Sequence, residues 1–327
     1  MCRVSDKLPT VTVVIAARPD QADVQAANAA QALDYPPDRL EIILARGKQP
    51  SVQRNAALRA ARGEWIYFLD DDSIPPADNL RRSMNHLADS RVKIVGGPNL
   101  CPPDAPQLER VFALVLSSWL AFGPSRARYA KVGAVRPSGE KELILCNMLA
   151  HRETLLALGG FNEALYPNEE NALMDEIQKR GDKLLYDPDF FVHRRPRRTL
   201  RSFARMLMTY GRGRAEQFRE HPTPGSALNF VPPLFCLYLV LLPLVWLWRT
   251  EVGRLALWPL ALYAVAVLAQ GAVLLRHGGV GRTLLALPLI VLAHLLYGLG
   301  FWRGMFTRLK KSSQRGDVPV RLETVLP

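Results

Sequence analysis

The sequence predicts an open α/β sheet domain over residues 1–200, joined to an apolar α-helical region that matches a bilayer. Three observations carry that prediction. Short β-rich runs alternate with helical stretches from Val11 to Tyr186, the pattern of an open α/β sheet. Phe230–Trp248, Leu255–Leu275 and Thr283–Trp302 are runs of 19, 21 and 20 residues without a formally charged side chain, each long enough for the hydrocarbon core. Charge is partitioned around those runs. Residues 1–190 hold 23 Lys+Arg against 25 Asp+Glu, and residues 191–220 hold nine Arg against two Glu. Arg303–Arg321 adds six basic residues against Asp317. The net charge of +12 therefore comes mostly from two belts flanking the apolar runs, an arrangement suited to anionic lipid headgroups. No recognition-helix or RNP pattern accompanies the belts, which argues against nucleic acid as a partner.

Val11–Ala17 (VTVVIAA) reads as the first strand, and Asp20–Leu33, rich in Ala and Gln, as a helix. Leu40–Ala45 is a second strand. Ser51 is placed to cap a helix, SVQRNAALRAAR, that stops at Gly63. Trp65–Leu69 is the third strand, and Val92–Gly97, Leu143–Leu149 and Lys183–Tyr186 are further ones. Val111–Phe122 is apolar but too short to span a bilayer, so it reads as a core or an interfacial helix. Basic interfacial helices are expected over 201–228, membrane helices over 229–303 and a basic tail over 304–327.

The larger belt precedes the first apolar run, which places the sheet domain in the cytoplasm, on an inner membrane crossed several times. Three full spans then leave the basic tail on the far side, against the positive-inside tendency, and make the proline-broken third run a candidate re-entrant segment. Gln270 and His294 fall within apolar runs, where polar groups either serve a function or bond between helices. The four cysteines, Cys2, Cys101, Cys146 and Cys236, show no metal or redox spacing, which suits a reducing compartment. The polar start MCRVSDKLPT carries no pattern of a cleavable signal.

The chemistry concentrates in residues 64–76, EWIYFLDDDSIPP. A buried strand delivers Asp70, Asp71 and Asp72 to one point, and ligands in open α/β sheets bind beyond the carboxyl ends of strands. Adjacent carboxylates call for a cation. A divalent metal supplies one reading, since Mg²⁺ favours carboxylate, water and phosphate oxygens; a solvated acidic turn or helix cap before Pro75–Pro76 supplies the other. Glu169 and Glu170 open an apparent helix in YPNEENAL. Their carboxylates either complement its dipole or take a proton from a hydroxyl nucleophile. His193 ends the strand-like YDPDFFVH, as a structural histidine or as part of a metal shell.

Taken together and in this order, these segments resemble the family 2 glycosyltransferases, inverting enzymes with a GT-A fold, over about residues 10–215. VTVVIAARPD is similar to the family's first strand, RNAALRAARGEWIYFLDDD to the stretch leading into its DxD motif, and GGFNEALYPNEENAL to its GGF-(D/N)-E…ED segment. RRPRRTLRSFARMLMTYGRGRA looks like the juxtamembrane segment of bacterial enzymes that extend lipid-linked exopolysaccharide precursors. The resemblance implies Asp70, Asp72 and His193 as ligands of Mg²⁺ or Mn²⁺. It implies Ala17, Arg18, Asp20, Arg54, Asn55, Asp70 and Asp71 as the contacts of a nucleotide-sugar donor, and Glu170 as the catalytic base. Glu169, Arg212 and Arg214 are then expected at a polyprenyl-phosphate type acceptor, Arg212 and Arg214 equally being headgroup anchors.

Departures from the pattern are specific. LARGKQPS stands where the family has Asp-Asp-Gly-Ser, so the Asp that commonly reads the base is absent, and Glu170 replaces an Asp. The Gln-x-x-Arg-Trp motif of processive synthases is missing, which implies a single transfer. The implied function is metal-dependent transfer of one sugar to a lipid-linked hydroxyl in exopolysaccharide or glycolipid synthesis. The alternative is a membrane scaffold that has lost catalysis. A nucleotidyltransferase is disfavoured because no glycine-rich, lysine-containing phosphate loop is present.

Overall fold

The structure is a computed structural model that describes residues 8–163, 169–220, 222, 224–308 and 319–326. Its strands are β1 (Val11–Ala17), β2 (Leu40–Arg46), β3 (Trp65–Asp70), β4 (Val92–Gly96), β5 (Asn99–Leu100), β6 (Arg136–Ser138), β7 (Asn147–His151), β8 (Lys183–Tyr186), β9 (Val192–His193) and β10 (Arg321–Val325). The helices begin with α1 (Gln25–Gln31), α2 (Pro50–Ala60), α3 (Asn79–Ser83), α4 (Gln107–Leu116), α5 (Trp119–Phe122) and α6 (Arg152–Ala157). They continue with α7 (Glu169–Lys179), α8 (Leu200–Glu220), α9 (Val231–Trp248), α10 (Thr250–Leu255) and α11 (Trp258–Phe306). Two compact units result. The first takes its described residues from 8–102, 127–194 and 319–326, the second from 103–126 and 195–308.

The first unit is built on an eight-stranded mixed sheet in the order β10-β2-β1-β3-β7-β4-β8-β6. β1 runs parallel to both β2 and β3, whereas β3–β7 and β7–β4 are antiparallel. The central strands are continuous apolar runs because both faces are covered. Val13, Ile15, Tyr67 and Leu69 point into one core cluster, and Val14, Ile66 and Phe68 into the other. Ile66, Tyr67 and Phe68 are fully buried, and burial of each such side chain contributes about 1.5–3 kcal/mol. That burial anchors the strand carrying the aspartates. Behind it, Tyr67 Oη donates to Asn147 Oδ1 (2.8 Å), Asn79 Nδ2 donates to Tyr67 Oη (2.9 Å) and Asn147 Nδ2 donates to Phe190 O (2.7 Å). Gly97 fixes the same neighbourhood by close approach, since a Cβ there would lie 1.8 Å from Phe190 O.

Several elements differ from expectation. The first helix starts only at Gln25, because Arg46 Nη1 donates to the carbonyls of Arg18 (3.4 Å) and Gln21 (2.7 Å) and holds that stretch as a loop. Ser51 caps nothing: the helix begins at Pro50 after Gln49, and a proline at the first helical position is preorganised for it. The strand expected at Leu143–Leu149 is instead Asn147–His151, preceded by a turn in which Asn147 N donates to Ile144 O (3.2 Å). Apolar content alone does not separate a buried turn from a strand. The basic tail does not end as a tail. Arg321–Val325 adds antiparallel to β2 as the sheet's edge, and Arg46 Nε bonds Glu323 Oε2 at 2.9 Å.

In the second unit the Val111–Phe122 run divides into α4 and α5, and Phe112 stacks on Phe203 of α8 with ring centroids 4.3 Å apart. This is the core alternative. The second and third apolar runs form a single helical stretch interrupted at Gly279 (φ 68°, ψ 174°), a backbone region open essentially to glycine. The break is a reversal. Tyr263 and His294 share a hydrogen bond (2.8 Å), and Gly271 faces Leu287, so residues equidistant from Gly279 lie side by side. The chain also doubles back after α9, where Tyr238 Oη donates to Ala256 O (2.6 Å) and Gly253 lies against Trp246. Gln270 and His294 make the interhelical bonds, Gln270 Oε1 accepting from Leu120 N (3.0 Å) and His294 Nε2 lying 2.9 Å from Leu120 O. Ser226–Trp248 and Thr250–Phe306 are long and apolar enough to cross a membrane by length and composition.

Candidate active site

The aspartates occupy the carboxyl end of β3, beside the ends of β1 and β2. The turn after the strand is tied down by backbone bonds: Ser73 N donates to Asp70 O (3.0 Å) and Ala26 N to Asp71 O (3.1 Å). Ile74 and His193 then exchange two more, at 2.9 and 2.8 Å. This bridge carries β9 alongside the acidic turn and delivers the next residue, Arg194, to it. Arg194 N is itself fixed on Leu100 O at 2.9 Å.

The cation that the three carboxylates call for is present as two arginines. Arg194 Nε meets Asp72 Oδ1 at 2.5 Å, and its Nη2 lies 3.2 Å from Asp70 Oδ2. Arg54 Nη2 donates to Asp70 Oδ1 at 2.8 Å, and its Nη1 to Glu169 Oε1 at 3.3 Å. An alternating chain results, Asp72–Arg194–Asp70–Arg54–Glu169, running from the strand end to the first turn of α7. Its two halves differ in environment. The Arg54 and Glu169 side chains are 8% and 3% exposed, against 24% and 41% for Arg194 and Asp72. Asp71 stands apart: burial, then the neighbouring Asp72 charge, pushes its carboxyl above the usual range.

The expected donor contacts separate into three groups. Arg54, Asp70, Asp71 and Asp72 converge as described. Ala17 O is consumed internally, accepting from Gln53 Nε2 (2.7 Å) and Gly47 N (3.1 Å), and Arg18 and Asp20 lie exposed in the loop that follows. Asn55 is committed elsewhere. Its Nδ2 donates to Phe161 O and Glu163 Oε1, both at 2.9 Å, and its Oδ1 accepts from Phe161 N at 2.8 Å. Its amide is thus engaged by Phe161 and Glu163.

Glu169, expected at the acceptor, pairs with Arg54 and is buried; Glu170, one residue on, is half-exposed at the start of α7. Residues 166–168 of the YPNEENAL segment lie outside the described residues. Arg212 and Arg214 belong to α8 of the second unit, paired along that helix with Glu216 (3.4 Å) and Gln217 (3.1 Å).

For a divalent ion, the donors fit in kind. Asp70 and Asp72 offer hard oxygen ligands, and His193 Nδ1 is buried without a hydrogen-bond partner. They do not converge as a metal cluster: among the described residues no group of three or more His, Cys, Asp or Glu is placed to hold an ion, and Arg194 holds Asp72 instead. Sequence reasoning missed Arg194 as a site residue. The Arg run after His193 was the available signal, read only as a headgroup belt.

Residues 10–118 match Glycosyl transferase family 2. No match is found among curated proteins. Among solved structures, the chain is similar to the mannosyltransferase PcManGT from Pyrobaculum calidifontis in complex with GDP-Man and Mn²⁺. The identity is 19% and the TM-score 0.56, over 91% of this chain and 88% of that one. S. aureus TarS 1–349 in complex with UDP-GlcNAc aligns at 11% identity and a TM-score of 0.43, over 90% of each chain.

Proposed function

We propose that this chain, whose residues 10–118 match Glycosyl transferase family 2 and whose fold is similar to that of the mannosyltransferase PcManGT, transfers one sugar from a nucleotide-sugar to a hydroxyl of a lipid-linked acceptor, with inversion. The supporting observation is the ion-pair chain that ties the aspartates at the end of β3 to the first turn of α7, where Glu170 sits. It supports reading the aspartates as the diphosphate side and Glu170 as the base of one site. The acceptor oxygen attacks the anomeric carbon as its proton passes to the Glu170 carboxylate. The bond from that carbon to the phosphate oxygen breaks, and the nucleoside diphosphate leaves with the electron pair.

Asp70 and Asp72, together with His193, would hold Mg²⁺ or Mn²⁺, as the donor types favour. When bound, such an ion neutralises charge on the leaving diphosphate. Arg54 stays on Asp70 and Glu169 and keeps the two sides of the site in register.

The acceptor is assigned to a membrane because α9 and α11 present unpaired apolar faces: Val240, Leu244, Leu247, Leu262, Val265 and Leu268 are 58–82% exposed. Such contiguous apolar surface marks contact with lipid or a partner, and the basic belts suit anionic headgroups. Arg212 and Arg214 on α8 are assigned to the acceptor's lipid phosphate. The setting is the bacterial inner membrane, with the sheet domain in the cytoplasm, in exopolysaccharide or glycolipid synthesis.

The test is nucleoside diphosphate binding to the detergent-solubilised protein with a screen of nucleotide-sugars for turnover. Binding should require Mn²⁺ or Mg²⁺, and Asp72→Ala should weaken it by tenfold or more, about the worth of one charge-assisted contact. EDTA-insensitive binding that survives in Asp72→Ala rejects the assignment of the ion to these carboxylates. A protein that binds donors yet neither transfers nor hydrolyses any of them is the scaffold instead.

A further inference from the structure

Arg194 makes contacts that the proposed transfer does not use. Its guanidinium spans both carboxylates, Nε on Asp72 and Nη2 on Asp70, and so occupies the position between the two side chains assigned to the ion. A buried imidazole nitrogen with no partner, His193 Nδ1, belongs to the residue immediately before it. The two arginines of the cluster are not equivalent. Arg54 is enclosed, bonded on one side to a carboxylate that is 3% exposed, whereas Arg194 and Asp72 face solvent on one side. Backbone contacts hold Arg194 at its Cα, through its own N–H on Leu100 O and through the Ile74–His193 bridge, and its side chain has several rotatable bonds beyond that anchor. A guanidinium fork matches a phosphate as well as it matches a carboxylate.

Resting on the reading of Asp70 and Asp72 as ion ligands, we propose that Arg194 is an exchangeable latch. Without donor it neutralises the two carboxylates; when a divalent ion takes them, Arg194 transfers to the donor's diphosphate. Arg194 is then a donor-binding residue in the loaded enzyme and a competitor of the free ion in the empty one. The arrangement makes ion and nucleotide bind together, because either alone must leave a charge without its best partner.

The opposing roles give an experiment with opposite signs. Mn²⁺ binding to the full-length, detergent-solubilised protein is followed by electron paramagnetic resonance, first with Mn²⁺ alone and then with UDP or GDP at saturating Mn²⁺. Arg194→Gln should bind Mn²⁺ alone roughly tenfold more tightly than wild type and bind the diphosphate roughly tenfold more weakly. Arg194→Lys keeps the charge but not the fork, and should fall between the two on both axes. Thermal melting reports whether each variant is folded, and Arg194→Lys carries the test if Arg194→Gln is not. Unchanged Mn²⁺ affinity in the variants, or affinity for ion and diphosphate falling together, overturns the latch while leaving the ion site standing. No Mn²⁺ site in wild type or variants, with or without diphosphate, overturns the ion site itself and the latch with it.

Discussion

Glu170→Gln is expected to lower turnover by about 10²–10⁴, the usual contribution of a positioned general base, with donor affinity close to wild type. Gln keeps the size and hydrogen bonding of the side chain but cannot accept the acceptor's proton. The structure sharpens the contrast with its neighbour. Successive helix residues are about 100° apart, so with Glu169 turned into Arg54, Glu170 faces another direction and is half-exposed. The Glu169 carboxylate is engaged by a buried guanidinium and is turned away from the direction Glu170 takes. Steady-state kinetics at saturating donor, with donor binding measured separately, decides the matter. Near-normal turnover in Glu170→Gln removes it from the mechanism.

Arg54→Ala is expected to cost about 3–5 kcal/mol of stability, the range for removing one partner from a buried ion pair. Arg54 is 8% exposed and lies between Asp70 and Glu169, so its loss brings two carboxylates together with the cation gone. By the usual scaling this corresponds to a fall of roughly 6–20 °C in apparent melting temperature, readable by differential scanning fluorimetry in detergent. Arg54→Lys should recover part of it, since an ammonium keeps the charge but cannot fork between two partners. Arg194→Gln should melt much closer to wild type, because its ion pairs are partly solvated. Equal melting of Arg54→Ala and wild type contradicts the account of the buried half of the cluster.

The strand ends and the acidic turn were legible because they are local. Alternation and apolar runs are written within ten residues of one another, and β1, β2 and β3 appear close to where the pattern places them. What the turn binds was only half legible. The demand for a cation follows from Asp70, Asp71 and Asp72 themselves, but its supplier does not, since Arg194 lies 122 residues from Asp72 and arrives through the Ile74–His193 bridge. The partners of Asn55 were illegible for the same reason, its amide bonding Phe161 and Glu163 more than 100 residues away. The edge strand was illegible too. Arg321–Val325 is five residues long, follows a basic segment, and pairs with a strand some 277 residues earlier, beyond the reach of any periodicity argument.

That edge strand constrains how the apolar helices meet a membrane. A polypeptide that leaves a folded sheet and later returns a strand to the same sheet has traversed any intervening bilayer an even number of times. Five consecutive pairings, Arg321 with Arg46 through Val325 with Ile42, fasten the return. Were the apolar runs to cross a bilayer, three full crossings would be inconsistent with this pairing. The reversals after α9 and at Gly279 divide the apolar region into three runs, so an even count requires that at least one of the three does not cross. Both chain ends should then report from one compartment. Reporters fused in turn to residue 1 and to residue 327 should both read cytoplasmic, and a C-terminal reporter on the opposite face would mean that β10 cannot occupy the edge of β2 in the membrane-bound protein.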